Sequence, residues 1–438
     1  MNPVKVGLLG LGTVGGGTRL VLERNATEIA RRAGRAIRIT RAAVRNLERD
    51  AGPIELTTDA HAIVSDPDID VVVELIGGYE PARSLVLEAI EHGKHIVTAN
   101  KALIALHGNE LFAAAHQRGV MIAFEAAVAG GIPIIKALRE GLAGNRIKDL
   151  VGIINGTSNF ILTEMRDKGR AFADVLADAQ QLGYAEADPT FDVEGIDAAH
   201  KLTILASIAF GIPLQFDKVY TEGISQITPL DVMYAEQLGY RIKHLGIARQ
   251  SGTGDEQGVE LRVHPTLIPE RELIASVNGV MNAILVEGDA VGPTLYYGAG
   301  AGAEPTASAV VADLVDVVRT LTADPGNRVP HLAFQPDRLA DTPVLAMEQI
   351  HTAYYLRMLA EDKPGVLADI TRILGDSGIS IEAIIQKEPA AGVSQVPIIM
   401  LTHRNREQQM NQAIARIEAL EAISGQVTRI RLESFTAA

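Results

Sequence analysis

The chain has 438 residues, 47% hydrophobic and 21% charged, with a formal net charge of −14, 4% aromatics, no Trp and no Cys. That length allows two to four domains with substantial apolar cores, built here mainly from Ala, Ile, Leu and Val. The acidic balance disfavours nucleic acid and anionic membrane as partners, and the missing Cys excludes disulfides, thiolate metal sites and Cys nucleophiles.

Val4–Leu9 reads as a buried strand that starts the pattern with no leader before it. No uncharged apolar run reaches the ~20 residues of a membrane helix, so the expected setting is the cytoplasm. A helix over Val14–Ala33 follows, then strands at Ile37–Val44, Asp70–Ile76, His95–Thr98 and Val120–Phe124. Helices lie between the later strands, one opened by Pro81 and another over Gly108–Arg118. Residues 1–135 therefore predict an α/β fold with a parallel sheet covered on both faces. Gly10-Leu11-Gly12-Thr13-Val14-Gly15 is a complete G-x-G-x-x-G between the first strand and its helix. The first Gly permits a tight turn, the second a close approach by a pyrophosphate, and the third close packing of helix on sheet. The helix N-terminus adds free N–H groups, and the whole reads as a Rossmann-type dinucleotide site.

The second strand ends Ala43-Val44-Arg45-Asn46, with no acid before Glu48 to bond a ribose hydroxyl. Arg45 either accepts the extra phosphate of NADP or is a solvated surface residue; NADP is the expected cofactor and NAD the alternative. Lys101 closes the string Thr98-Ala99-Asn100-Lys101 after the fourth strand. It either faces the cofactor crevice, toward nicotinamide or a substrate carboxylate, or is an exposed lysine at a helix start.

Residues 136–322 read as an α+β domain. It has a strand near Ile147–Ile154 and helices at Thr157–Lys168, Phe172–Leu182 and Ile196–Phe210. Strands at Arg241–Ala248, Gly258–Leu267 and Ile284–Glu287 and a helix from Pro305 to residue 322 complete it. Just before this domain, Glu125–Pro133 is mostly small and apolar, which permits tight packing and leaves carbonyls free. Gly183–Lys201 carries the acids Glu186, Asp188, Asp192, Glu194 and Asp197 ahead of Lys201. Asp197 and Lys201 stand four apart on a helix and share a face. The acids suit a substrate ammonium, and Lys201 suits a proton for a developing alkoxide; the alternative is a solvated acidic loop with a surface ion pair. Gly298–Thr306 is a second Gly-rich turn, either a ligand approach or a plain turn, with Pro305 suited to the first helical turn. Residues 323–349 lack periodicity and read as a linker. Residues 350–438 follow a β-α-β-β-α-β order, the ferredoxin-like pattern.

The stretches Gly10–Gly15, Thr98–Ile104, Glu125–Ile135, Gly152–Leu162, Gly183–Leu202 and Tyr297–Asp313 together resemble homoserine dehydrogenase, over about 1–322. The strings Asn-Gly-Thr-Ser-Asn-Phe from Asn155 and Tyr-Ala-Glu-Ala-Asp-Pro from Tyr184 are the most specific. The resemblance is to monofunctional members. It implies reversible NAD(P)-dependent interconversion of L-homoserine and L-aspartate 4-semialdehyde, in threonine, methionine and isoleucine biosynthesis. It further implies that Glu186 holds the substrate amino group, Asp192 and Asp197 order the site, Lys201 donates the proton, and Lys101 is a second active-site lysine. A structural sodium-type cation is implied on the carbonyls of Val128, Gly130 and Ile132, with Glu125 close by. Residues Glu361–Leu367 and Gly378–Ile381 resemble an ACT domain. This implies a homo-oligomer, dimer or tetramer, and an amino-acid effector, typically threonine; a purely structural dimerisation module is the alternative. Two other functions compete: an oxidoreductase for another amino-acid semialdehyde, and a non-catalytic amino-acid sensor on a dehydrogenase body. The presence of both lysines and the acid cluster weighs against the sensor.

Overall fold

In the computed structural model, which describes residues 2–252, 257–321, 328–387 and 394–435, the N-terminal alternation of apolar strands and helices forms a six-stranded parallel sheet. Its strands are β1 (Val4–Leu9), β2 (Ile37–Ala43), β3 (Glu55–Thr57), β4 (Val71–Glu74), β5 (His95–Thr98) and β6 (Ile122–Ala123). Helices α1 (Thr13–Arg24), α2 (Ala26–Ala33), α3 (His61–Val64), α4 (Ala82–Glu91) and α5 (Lys101–Arg118) connect them. The order β3-β2-β1-β4-β5-β6 reverses direction between β1 and β4, which opens a crevice at the carboxyl ends of those strands. Val6, Leu8, Val72, Val73 and Ile96 are fully buried, so the central strands are apolar without alternation.

Several local features differ from the sequence pattern, among them α3 and the start of α5 at Lys101 rather than Gly108. The expected single helix over Val14–Ala33 breaks at Asn25 (φ −106°, ψ 18°). Asn competes with the helical backbone for hydrogen bonds, and the break lets Ile29 and Ala33 of α2 reach the core. Strand β3 was not expected, because three partly exposed residues carry no periodic signal.

The remaining chain contributes α6 (Ile134–Lys136), β7 (Ile147–Ile153), α7 (Gly156–Lys168), α8 (Phe172–Gln181), α9 (Thr190–Val193), α10 (Ile196–Phe210) and β8 (Tyr220–Thr221). It continues through α11 (Pro229–Gln237), β9 (Tyr240–Ser251), β10 (Gly258–Pro269), β11 (Met281–Gly288), β12 (Gly292–Ala299) and α12 (Ala303–Thr320). The C-terminal part is β13 (His351–Glu361), α13 (Val366–Asp376), β14 (Ile381–Gln386), β15 (Gln395–Thr402), β16 (Asn405–Arg406), α14 (Glu407–Glu418) and β17 (Ile423–Leu432). Strand order β17-β13-β15-β14 with two helices is the ferredoxin-like arrangement of an ACT domain.

The sheets of the middle and C-terminal parts are one. β10 pairs in parallel with β17 through Thr266–Arg431 and Leu267–Leu432, so a mixed sheet runs β12-β11-β7-β9-β10-β17-β13-β15-β14. β12 escaped the sequence reading because Gly292, Pro293 and Gly298 weaken its pattern, and it sits at the sheet edge where they are tolerated. α12, expected with the second domain, packs Ala307, Val310 and Leu314 into one core with Val4, Val6 and Leu22 of the nucleotide domain. A Cβ on Gly17 would meet the Ala303 carbonyl at 2.5 Å, so glycine there lets α1 and α12 touch.

The boundary placed at 322/323 lies outside the described residues. From residue 328 the segment read as a linker packs closely. His331 stacks on Phe112 (centroids 4.9 Å apart), and its Nε2 accepts from the Ile122 N–H of edge strand β6 (3.1 Å). Burial pushes the His331 imidazole down to about 3, which keeps it neutral. Further on, Ala340 N–H donates to Gly211 O (2.7 Å), and Val344 bridges to Val259 of β10.

Candidate active site

The glycine loop has the geometry its spacing requires. Gly10 sits at φ +95°, a left-handed value that favours glycine, with Leu75 O 2.9 Å from where a Cβ would be. A Cβ on Gly12 would meet nothing within 4 Å, whereas one on Gly15 would collide with Gly10 O at 2.3 Å. Gly12 thus leaves room on the ligand side, and Gly15 lets α1 lie against the turn. α1 opens at Thr13 and Val14 with no side-chain cap, so its first N–H groups remain free for an anion. A cleft of about 750 Å³ lies here, lined by Gly10, Leu11, Gly12, Arg45, Gly77 and others. It also holds Arg49, which the sequence reading passed over; its guanidinium donates to the Leu11 carbonyl. A second arginine four residues after Arg45 was the available signal. These residues fit a dinucleotide whose phosphates meet backbone N–H groups and two guanidiniums.

The strand ends fix the start of α5. Buried Glu74 accepts from the N–H groups of Ile76 (2.9 Å) and Gly77 (3.1 Å) and from the Thr98 hydroxyl (2.6 Å). Burial nevertheless pushes its carboxyl up. Thr98 Oγ1 accepts from Asn100 N–H (3.0 Å), Asn100 Nδ2 donates to Gly78 O (2.7 Å), and Asn100 Oδ1 caps Leu103 N–H (3.1 Å). Lys101, the first residue of α5, is held by this lattice and points at Asp197 rather than lining the dinucleotide cleft.

α10 begins after Gly195, whose φ of +85° and close approach to His244 (3.1 Å from where a Cβ would be) suit only glycine. Asp197 lies in the first turn of α10, where the helix dipole favours an anion, and Lys201 lies one turn on. The buried Asp197 carboxylate carries an ammonium on each oxygen: Lys101 Nζ at 3.0 Å from Oδ1 and Lys201 Nζ at 2.7 Å from Oδ2. Burial alone would push this carboxyl up; the two lysines and the hydrogen bonds from Lys201 and Asn155 outweigh it and hold it well below the usual carboxylate range. Asp197 in turn raises the Lys101 ammonium above its ordinary value.

Asn155 is the joint of the site. It caps α7 by accepting from Ser158 N–H (2.8 Å), and its Nδ2 donates to both Asp192 Oδ1 (2.8 Å) and Asp197 Oδ2 (2.9 Å). Burial pushes the Asp192 carboxyl up, opposed by the Asn155 bond. The string Asn155–Phe160 is specific, and an Asn before a helix marks a cap, but its reach to two acids is tertiary. Lys201 Nζ donates to Ile154 O (2.8 Å) and Asp197 Oδ2. An ammonium has three donors, so one remains unspent. The structure therefore brings together Lys101, Asp192, Asp197 and Lys201. Glu186 stays on an exposed loop, with its backbone carbonyl accepting from Gln180 Nε2 (3.1 Å) and its charge adding to the field on Lys101.

The turn expected to hold a cation is built as follows. Ala129 (φ 54°) and Gly130 (φ 44°) are both left-handed, and the Val128 and Gly130 carbonyls take no hydrogen bond among the described residues. The Ile132 carbonyl accepts from Ile134 N–H (2.8 Å) and keeps a second lone pair. Glu125 accepts from Ile135 N–H (2.9 Å) and Lys136 N–H (2.8 Å), and its own N–H donates to Asp313 (2.8 Å). Burial pushes both carboxyls up, and neither has a salt bridge among the described residues. Oxygen donors and two adjacent buried acids suit a hard monovalent cation. No cluster of three or more His, Asp or Glu side chains offers a side-chain metal site among the described residues.

Comparison with known proteins agrees with this geometry. The family model described as homoserine dehydrogenase matches residues 133–315, the homoserine dehydrogenase NAD-binding domain matches 10–125, and the ACT domain matches 354–422. The chain is 68% identical over 435 residues to the homoserine dehydrogenase of Pseudomonas aeruginosa, covering 99% of each. It is 57% identical over 439 residues to that of Neisseria gonorrhoeae, again with 99% of each covered. The crystal structure of a homoserine dehydrogenase from Thiobacillus denitrificans superposes with a TM-score of 0.95 at 70% identity, over 100% of this chain and 99% of that one.

Proposed function

The chain belongs to the homoserine dehydrogenase family, and from that premise we propose how its residues divide the work of an oxidoreductase that interconverts L-homoserine and L-aspartate 4-semialdehyde. The observation that carries the reading is the unspent proton on Lys201 beside a carboxylate shared with Lys101.

Gly10, Leu11, Gly12, Thr13, Val14 and Gly15 hold the pyrophosphate of the dinucleotide, and Arg45 with Arg49 takes the 2′-phosphate, which makes NADP the preferred form and NAD the lesser one. When bound, the nicotinamide supplies the hydride for the aldehyde carbon. Glu186 receives the substrate ammonium, and Lys101 offers its remaining donors to the substrate carboxylate or the nicotinamide side. Lys201 hands its free proton to the oxygen as the aldehyde becomes an alcohol: an O–H bond forms, an N–H bond breaks, and the amine then recovers a proton from solvent. Asp197 fixes both lysines, and Asp192 with Asn155 closes the acid side. Val128, Gly130 and Ile132, backed by Glu125, would hold a structural Na+ through their carbonyls. The division 1–135 for nucleotide, 136–322 for substrate and dimerisation, 323–349 for linkage and 350–438 for regulation follows the sequence blocks. In this reading threonine acts as effector through the ACT domain of a dimer or tetramer, in the cytoplasm, on the route to threonine, methionine and isoleucine. Among the described residues no helix is long and apolar enough to cross a membrane.

Initial rates with L-aspartate 4-semialdehyde and either NADPH or NADH, with and without threonine, test the reading. NADPH should be favoured, and Arg45→Ala should cut that preference about tenfold. Faster turnover of a different amino-acid semialdehyde would overturn the substrate assignment.

A further inference from the structure

A second polar cleft, of about 860 Å³, lies between the ACT domain and the turn that precedes the catalytic helix α10. One wall is Glu194 and the loop after β8 that carries Glu222; the other is α14 and β17, with Asn411, Glu418 and Arg429. Both charge signs face it. Glu194 is half-buried and pressed against Gly223 (a Cβ there would meet its Oε2 at 2.2 Å), and its carboxylate has no hydrogen bond or ion pair among the described residues. Arg429 is engaged through Nη1 by Asn411 and by Glu407 (2.9 Å), while its Nη2 stands 3.9 Å from Glu222, beyond hydrogen-bonding distance. A half-buried carboxylate without a partner and an incompletely used guanidinium across one cleft match the two ends of a zwitterion.

We propose that this intrachain cleft binds a free α-amino acid, with its ammonium on Glu194 and its carboxylate on Arg429. The proposal rests on the amino-acid regulation put forward above and gives it a place.

That place has a mechanical meaning. Ile224 N–H donates to Val193 O (2.9 Å), and His244 Nε2 bonds Glu222 O (3.0 Å) while its ring packs on Gly195. The loop lining the cleft is thus stitched to the turn that sets the start of α10, two residues before Asp197. A ligand spanning Glu194 and Arg429 ties the C-terminal domain to that turn. It alters turnover only in so far as it binds one arrangement of the turn better than another.

The full chain serves for the test. Calorimetric titration with each common L-amino acid, and with its N-acetyl derivative, is run on the wild type, on Ala415→Trp and on Glu194→Gln. Ala415 is an exposed residue of α14 that lines the cleft, so Trp there fills it without touching a core. At least one amino acid should bind the wild type, its N-acetyl form should not, and both variants should weaken binding about tenfold or more, while turnover of Ala415→Trp without effector stays within about twofold. Absence of binding by any amino acid, or undiminished binding in both variants, would overturn the site. If Ala415→Trp loses turnover through misfolding, Glu194→Gln alone decides. Two results separate this site from the regulatory reading. Threonine that inhibits the wild type and both variants alike removes the cleft and keeps the regulation. Binding of another amino acid that both variants lose, with threonine inert, removes the threonine reading and keeps the cleft.

Discussion

Around Asp197, two lysines, two acids and an amide meet with donors left over; around Arg431, a similar gathering of charges leaves almost nothing unspent. Arg431 is fully buried and bonds Glu407 twice, Glu222 at 2.8 Å and the Tyr220 hydroxyl at 3.2 Å, while the Tyr354 hydroxyl donates to the same Glu407 (2.6 Å). Beside it Arg262 bonds Glu260 and Glu433, and Arg249 bridges Glu433 to Asp149. Both clusters are taken out of water, which is costly for charges. The difference is stoichiometry. In the junction each cation is matched by carboxylate oxygens, so the cluster locks β10 to β17. In the site one carboxylate serves two ammoniums, so proton donors remain for a substrate. Composition alone does not separate a structural ion network from a reactive one; the count of unspent donors does.

Four measurements break or sharpen this contrast. Lys201→Ala should lower turnover by roughly 10²–10⁴-fold while NADPH binding, followed by fluorescence titration, is nearly unchanged. Turnover close to wild type would remove the distinction at its root. Arg431→Met should do the reverse: lose about 3 kcal/mol of stability in denaturant unfolding, because buried Glu407 keeps only Arg429 and the Tyr354 hydroxyl and Glu222 loses its closest cation, with the rate per folded molecule preserved. A variant as stable as wild type would show that the junction is ornamental. Asn155→Ala removes charge-assisted hydrogen bonds to two carboxylates and should cost about 10–100-fold in kcat, with a smaller change in KM for NADPH; a change confined to stability would assign Asn155 to the structural class. The smallest effect is in acid. Burial would push the Glu433 carboxyl up, but Arg262 and Arg249 prevail and hold it at about 2, below its ordinary 4.5. Its folded pKa is depressed, so its pairing stabilises the protein above 4.5 and is lost as pH falls from there toward about 2. Glu433→Gln should flatten the fall of stability in that window by at most about 1.4 kcal/mol per pH unit. An unaltered slope would place the acid sensitivity elsewhere.

Much of this was legible in the residues. The nucleotide sheet followed from strand–helix alternation, and Gly10, Gly12 and Gly15 behave as their spacing demands, because the turn is local. The Asp197–Lys201 pair followed from helical periodicity. Other features needed the folded chain. Lys101 joins Asp197 across 96 positions of sequence, and Asn155 reaches acids 37 and 42 residues away. The shared sheet through Thr266–Arg431 is a pairing between strands that read alike whether or not they meet. Arg49 has only its spacing from Arg45 to mark it, and its contact with the Leu11 carbonyl is visible only in the folded chain.

The imidazole of His331 laid on the last strand of the nucleotide sheet has a consequence for how the chain is kept apart from its neighbours. β6 is only two residues long, and the Ile122 amide is already answered by a neutral ring from the segment that follows α12. A strand closed in this way offers no seam along which another molecule can zip. Anyone trimming the tail to isolate a minimal catalyst should cut beyond residue 331, since a shorter truncation would unseal that rim and invite precipitation.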